Sequence, residues 1–373
     1  ADYSKQITED LRLDMGVKMA LNKFENDVVV NTFDGDEFIP DPTLTNFSEL
    51  EENIFAIYAS TDYNISKKTN AKIGFRYEHT NSELNTDKEG RVVDRTYGEL
   101  FPSAFVTHQV NDSLSFGVSY IRRITRPTFN EMAPFVIFID PTTFFAGNPA
   151  IQPAISNAFK FGTNYKSFLL SAEYSVEDGS IARFQERYDE ENDRLIYESM
   201  NLDQTRIFSL TLGLPVKLSE WWRTQNTIMY LNTRVENTID DVKSTYEQNT
   251  FQLNSTQSFK ISETVSSEIN MFYNGPTLSG SREVKSNFFM NFGIQKNLGD
   301  KWGTLRFNIN DIFDSSKLRS SSSFPDQNLN ATFDLDFSNR TYMLTYSRNF
   351  GNKKLKSTRQ RQTGAEEERR RVN

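Results

Sequence analysis

Apolar and polar residues alternate singly along most of the chain. Over 114–124 the apolar positions are Leu114, Phe116, Val118 and Tyr120, with Ser115, Gly117 and Ser119 between them. A period of two sends the two sets to opposite faces of an extended strand. The pattern recurs at 54–65, where Phe55, Ile57, Ala59, Thr61, Tyr63 and Ile65 oppose Ala56, Tyr58, Ser60, Asp62 and Asn64. It recurs again at 71–80, with Ile73, Phe75 and Tyr77 against Lys72, Gly74, Arg76 and Glu78. Strands are also predicted at 1–7 (cut into by the first residue), 11–30, 101–110, 157–165, 168–185, 201–216, 221–235, 251–261, 265–273, 288–298, 305–313 and 342–350. The alternation at 221–235 is weak. No stretch has a 3.6-residue period, so the chain reads as all-β, an antiparallel up-and-down transmembrane β-barrel with about fifteen strands present.

The connections sort by length. Short ones fall near residues 8, 67, 112, 166, 218, 263 and 300. Long ones cover 31–50, 82–97, 125–154, 187–195, 236–246, 275–284 and 315–332. In this reading the two sets alternate strictly, so one rim of the barrel carries tight turns and the other carries loops. That is the outer-membrane pattern, with long loops extracellular and short turns periplasmic.

Charge decides which face is wet. Lys72, Arg76 and Glu78 share one face of their strand, so Phe75 and Tyr77 look out to something apolar. By the same rule Phe116, Leu210, Leu212, Phe292, Phe307 and Tyr342 should point outward to lipid. Lys72, Arg76, Glu78, Glu173, Glu177, Asn254, Glu268, Asn270, Arg306 and Asn308 should face the lumen. The plainer account of the lumen set is a hydrated wall with paired charges, without a specific site.

Composition alone points elsewhere. A quarter of the residues are charged, the formal net charge is −8, and no run approaches the ~18–20 apolar residues of a membrane helix. Yet 31 Phe and 15 Tyr are many for a chain this polar. A barrel reconciles the two, because only alternate residues meet lipid and aromatic girdles enrich Phe and Tyr. A soluble β-sandwich also alternates and is the competing fold. Cysteine is absent, which excludes disulfides and thiolate metal sites. His79 and His108 lie on separate strands, and no histidine-pair, paired-cysteine or glycine-rich phosphate motif is present. No cofactor or metal is expected, and no pairing of a base with a nucleophile suggests an enzyme. The N-terminus ADYSKQITED is not a signal peptide, so the chain is expected to start after one was removed or within a longer protein.

Strand direction adds an expectation. The last strand must run inward to end at the periplasmic rim, and counting back the first strand runs inward too. A closed bacterial barrel has an even number of strands, so residues 1–350 are expected to be the C-terminal part of a larger barrel. Residues 351–373 are basic and aperiodic, which reads as a disordered periplasmic tail. No aromatic is interleaved there, so nucleic acid is not an expected partner.

The loop 125–154 is the strongest candidate for ligand contact, since long barrel loops bind and gate. Arg126, Asn130, Asp140 and Asn148 supply polarity, and Phe129, Phe135, Phe138, Phe144 and Phe145 supply an apolar surface. The competing account is that these Phe side chains pack the loop and Pro127, Pro134 and Pro149 stiffen it, because a long ordered loop must bury something to offset its entropy.

Several segments resemble the outer-membrane β-barrel family allied to TonB-dependent receptors. They are GFRYEHT (74–80), LFPSAFV (100–106), SYIRRITRPTFNEMAPF (119–135), GNPAIQPAISNAFKFG (147–162), LRFNINDIFD (305–314) and YSRNFGNKK (346–354). Ala133 stands where the family often has Asn, and Ala154 where an acidic residue is common. The final strand, with Tyr342, Leu344 and Tyr346 alternating and Phe350 closing it, is similar to the signal read by the barrel-assembly machinery. The resemblance implies a receptor-like barrel of about 22 strands for uptake of a nutrient, of which this chain would be the C-terminal part. Its implied partners are outer-membrane lipid, the assembly machinery, a TonB-type energy coupler acting through a preceding plug, and a surface lipoprotein. No plug or energy-coupling box is read in this chain, so a passive porin or a structural or secretion-linked barrel stays open as an alternative.

Overall fold

The computed structural model describes residues 1–42, 44–133, 136–140, 142–189, 193–239, 241–324, 329–336, 340–350 and Arg371. Fifteen strands form one antiparallel sheet, each paired with the next along the chain. They are Asp2–Gln6, Leu11–Val28, Asn46–Ser66, Thr69–Thr86, Gly90–Asn111, Leu114–Thr125, Ala154–Tyr165, Phe168–Asp178, Gln204–Lys217, Trp222–Ile239, Val242–Lys260, Val265–Asn274, Asn287–Asn297, Thr304–Asn310 and Thr341–Ser347. Among the described residues the first strand pairs only with the second and the last only with the fourteenth, so the sheet is a wall open at both edges. Among the described residues the one helix is a single turn, Phe129–Met132.

Register keeps the two faces separate across the wall. One row runs laterally through Phe116, Thr163, Leu170, Leu212, Ile228 and Leu253. Ile57, Phe75, Phe251 and Leu344 on the same face are exposed. On the opposite face Leu50, Leu84 and Val93 are neighbours in register and are almost wholly enclosed. What encloses them is the segment between Thr125 and Ala154, so that face is the inside.

The short turns predicted from the sequence all lie on one rim, at 7–10, 67–68, 112–113, 166–167, 218–221, 261–264 and 298–303. The other rim departs from the length rule in two places. Residues 82–97 are not a loop: Thr69–Thr86 and Gly90–Asn111 stay paired up to Thr86 and Gly90. Residues 236–246 are not one either, since Trp222–Ile239 and Val242–Lys260 pair up to Ile239 and Val242. Both hairpins continue beyond the apolar band. There the outer face is polar as well, and only isolated apolar residues such as Leu84, Val93 and Val235 mark the inner one, so the hydropathy signal of a strand fades while its backbone ladder continues.

The strand predicted at 168–185 also divides. The wall strand ends at Asp178, and Gly179 at φ +65° lets the chain turn away. Ile181–Asp189 then pairs with Arg194–Asn201 in a separate four-stranded sheet with Thr143–Ala146 and Val136–Asp140, so the connection is 179–203 and not 187–195. The final strand stops at Ser347, and Phe350 lies beyond it under the Arg348 guanidinium at 4.6 Å.

Candidate functional site

Loop 125–154 does not project from the rim. It folds inside the wall, where Phe129, Met132, Ala133 and Ile151 pack against Leu50, Leu84 and Val93, with Phe24 and Val28 at the border. Phe24 and Phe129 rings lie 6.1 Å apart. The local sequence accounts for the entry to this core. Thr128 and Glu131 form a capping box, with Glu131 N–H donating to Thr128 Oγ1 at 3.3 Å and Thr128 N–H donating to the Glu131 carboxylate at 2.6 Å. Gly147 is required by contact, because a Cβ there would overlap the Ala133 carbonyl oxygen.

Polar anchors fix both arms of the segment. Arg126 donates to Glu78 and, at 3.1 Å, to Thr80 Oγ1. Arg76 pairs with Glu78 from the other side, so one enclosed carboxylate holds two guanidinium groups. Burial makes this pairing obligatory, since an unpaired charge there has no water. On the returning arm Arg95 donates to the carbonyls of Pro149 and Ile151. Asn148 joins three elements: its N–H donates to Glu131 O at 2.7 Å, its Nδ2 donates to Ser199 O at 2.9 Å, and its Oδ1 accepts from Ala150 N–H.

The residues singled out in the sequence therefore divide. Arg126, a ligand-contact candidate, and Glu78 and Arg76, lumen candidates, meet in one ion-pair group. Asn148 is a structural tie. Asn130 is exposed and lines a cavity of about 470 Å³ with Glu131, Phe145, Arg183, Tyr197 and Glu198. Arg183 donates to Glu131 at its mouth. Asp140 accepts the N–H and hydroxyl of Thr142, each at 2.9 Å, and these bonds hold its carboxyl below the usual carboxylate range. Phe135 lies outside the described residues, as does the side chain of Phe138.

A second, wetter space lies towards the short-turn rim. A groove of about 580 Å³ is lined by Lys260, Glu268, Asn270, Gln295, Arg306 and Asn308 among others. Glu268 accepts from Asn270 Nδ2 at 2.8 Å, and Arg306 donates to Gln295 at 2.7 Å. Lys72, Glu173 and Asn254 share this inner face by register, with Glu173 at 3.4 Å from Lys160. Tyr342, Leu344 and Tyr346 stand on the outer face of the last strand and are exposed. Among the described residues no group of His, Asp and Glu is arranged to hold a metal ion.

Sequence reasoning missed Glu52, Arg95, Glu131 and Arg183. Two of them left a signal. Thr-x-x-Glu at 128–131 is a capping-box pattern, and the alternation at 54–65 extends back through Glu52 if followed past the polar residues.

The family described as outer membrane protein beta-barrel family matches residues 1–347, and the chain belongs to it. No curated protein matches the chain. Among solved structures the wall is similar to the copper transporter OprC, at 13% identity and a TM-score of 0.61, covering 83% of this chain and 49% of that one. It is similar to the ferric-catecholate import receptor Fiu from E. coli K12, at 12% identity and 0.58, covering 92% and 52%. It is also similar to the ferric yersiniabactin uptake receptor FyuA from Yersinia pestis, at 9% identity and 0.59, covering 85% and 48%. These neighbours are TonB-dependent receptor barrels. At such identities the likeness is one of fold, and the chain spans about half the length of each neighbour.

Proposed function

We propose that this outer-membrane wall forms part of a receptor-like barrel that takes up a nutrient under TonB-type energy coupling. The observation that carries the reading is the 126–153 segment, which folds into the lumen and is anchored there on both arms. A segment pinned to the inner face by its own core and ion pairs, separately from the wall ladders, is the kind of element a gated receptor moves. The cavity beside Asn130 offers aromatic and charged walls to a ligand on the long-connection side, which this reading makes extracellular. The polar groove beneath offers a wet path towards the short-turn side, which it makes periplasmic. The open edges of the wall have to be covered, because bare strand edges in lipid leave backbone groups unpaired at several kcal/mol each. Further strands of the same protein are the economical cover, and a plug on which the energy coupler acts would belong with them.

The test compares cells with and without the protein for depletion of solutes from a complex medium, followed by mass spectrometry with and without a protonophore. Expected is a class of solute removed only when both the protein and the proton gradient are present, with the purified protein silent in planar bilayers. Depletion that ignores the protonophore, together with a steady bilayer current, would replace this reading by a passive porin.

A further inference from the structure

Glu52 points inward from Asn46–Ser66, and its side chain is only 3% exposed. Its partner comes from the far end of the chain. The Nη1 and Nη2 atoms of Arg371 donate to the two Glu52 oxygens at 2.5 and 3.1 Å. Nε and Nη2 of the same guanidinium donate to the Pro127 carbonyl at 3.1 and 2.9 Å. The Phe129 N–H donates to the backbone carbonyl of Arg371 at 3.2 Å. Side chain and main chain of one residue are thus both engaged.

That combination defines a ligand chemistry. Bonding both oxygens of a carboxylate and a third acceptor in one plane needs the guanidinium fork, and a lysine ammonium cannot do it. The contact to the backbone carbonyl needs an arginine carried in a peptide. We propose that Glu52, the Pro127 carbonyl and the Phe129 N–H form a lumen site for a peptide-borne arginine, and that the chain's own Arg371 occupies it. Reach permits this. The roughly 20 residues after Phe350 can extend about 65–70 Å, while Glu52 lies about 45 Å along its strand from the short-turn rim. Pro127 and Phe129 belong to the segment folded against the inner face of the wall, so occupancy of the site also holds that segment down. Another arginine-bearing peptide would have to displace the internal one, which its tether presents at an effective concentration in the millimolar range. This inference goes beyond the uptake reading and does not depend on transport.

The test uses the full chain with Arg369, Arg370 and Arg371 all changed to Ala, which empties the site. A fluorescein-labelled peptide of residues 364–373 is added in trans, and binding is read by anisotropy. The peptide should bind this variant at least tenfold more tightly than it binds the wild-type chain. Adding Glu52→Gln should weaken binding at least tenfold. Changing Arg371→Ala in the peptide, where folding is not at issue, should weaken it as much, and Arg369→Ala should weaken it less than threefold. Equal binding with and without Glu52→Gln would overturn the proposal, as would equal losses from the two peptide substitutions, since either means diffuse charge attraction.

Discussion

Replacing Phe129 by Ala should loosen the segment inside the lumen while leaving the wall intact. Phe129 is 5% exposed and packs among Leu50, Leu84, Met132 and Ile151. A buried Phe-to-Ala change costs about 3–5 kcal/mol in lost transfer energy plus cavity. The lower end applies here, because Phe24 is only partly buried and can lean into the space. The wall strands have their own ladders, so the loss falls on local opening of 126–153 and not on global unfolding. Two amides report that opening: Ala133 N–H, bonded to Phe129 O at 2.9 Å, and Asn148 N–H, bonded to Glu131 O at 2.7 Å. About 3 kcal/mol corresponds to exchange faster by roughly 150-fold. Hydrogen–deuterium exchange in detergent micelles should show that acceleration at 129–148, with wall amides near Leu210 unchanged. Acceleration below about fivefold at both amides, or equal acceleration in the wall, would refute the argument that this core holds the segment separately.

Three further outcomes are expected. Leu212→Arg puts a charge on the outer face of a central strand and should destabilise the folded protein in lipid by about 2–4 kcal/mol, measured by denaturant titration in vesicles; an unchanged midpoint would place Leu212 away from lipid. Glu78→Ala strands the enclosed Arg126 beside Arg76 and should cost about 3–5 kcal/mol; restoring most of it with Glu78→Ala plus Arg126→Met would show that the unpaired charge, and not the lost volume, is responsible. Gly147→Ala must push the 147–148 backbone away from Ala133, so tryptic cleavage within 126–153 should quicken while heat-modifiable gel mobility stays that of the folded barrel.

How far the sequence could be read followed where the two faces differ chemically. Phe116, Leu210, Leu212 and Phe307 alternate with small or charged neighbours, and these strands were legible. Above the apolar band, around Asn85 and Asn237, the outer face turns polar and the period-two signal is gone, although the strands continue. Alternation at Trp222–Ile239 is weak for another reason. Thr224 and Asn226 face outward there and are satisfied laterally: Ser255 Oγ donates to Asn226 Oδ1 at 2.6 Å, and Gln257 Nε2 donates to Thr224 Oγ1 at 2.7 Å. Trp222 Nε1 covers the group by donating to Gln257. The loop's importance was legible from its Pro and Phe content, but its inward fold was not, because the partners Leu50, Leu84 and Val93 sit in stretches that read as polar connections. Arg371 left no trace, since one arginine in a charge run carries no pattern.

Successive residues of each wall strand face lipid and water in turn. The chain has no cysteine, so single cysteines can be placed at each position from 208 to 213 and spin-labelled in vesicles. Labels at 208, 210 and 212 should relax with oxygen dissolved in the bilayer, and labels at 209, 211 and 213 with a water-soluble nickel chelate. A flat profile, or one with the phases exchanged, would contradict an outer-membrane wall built this way.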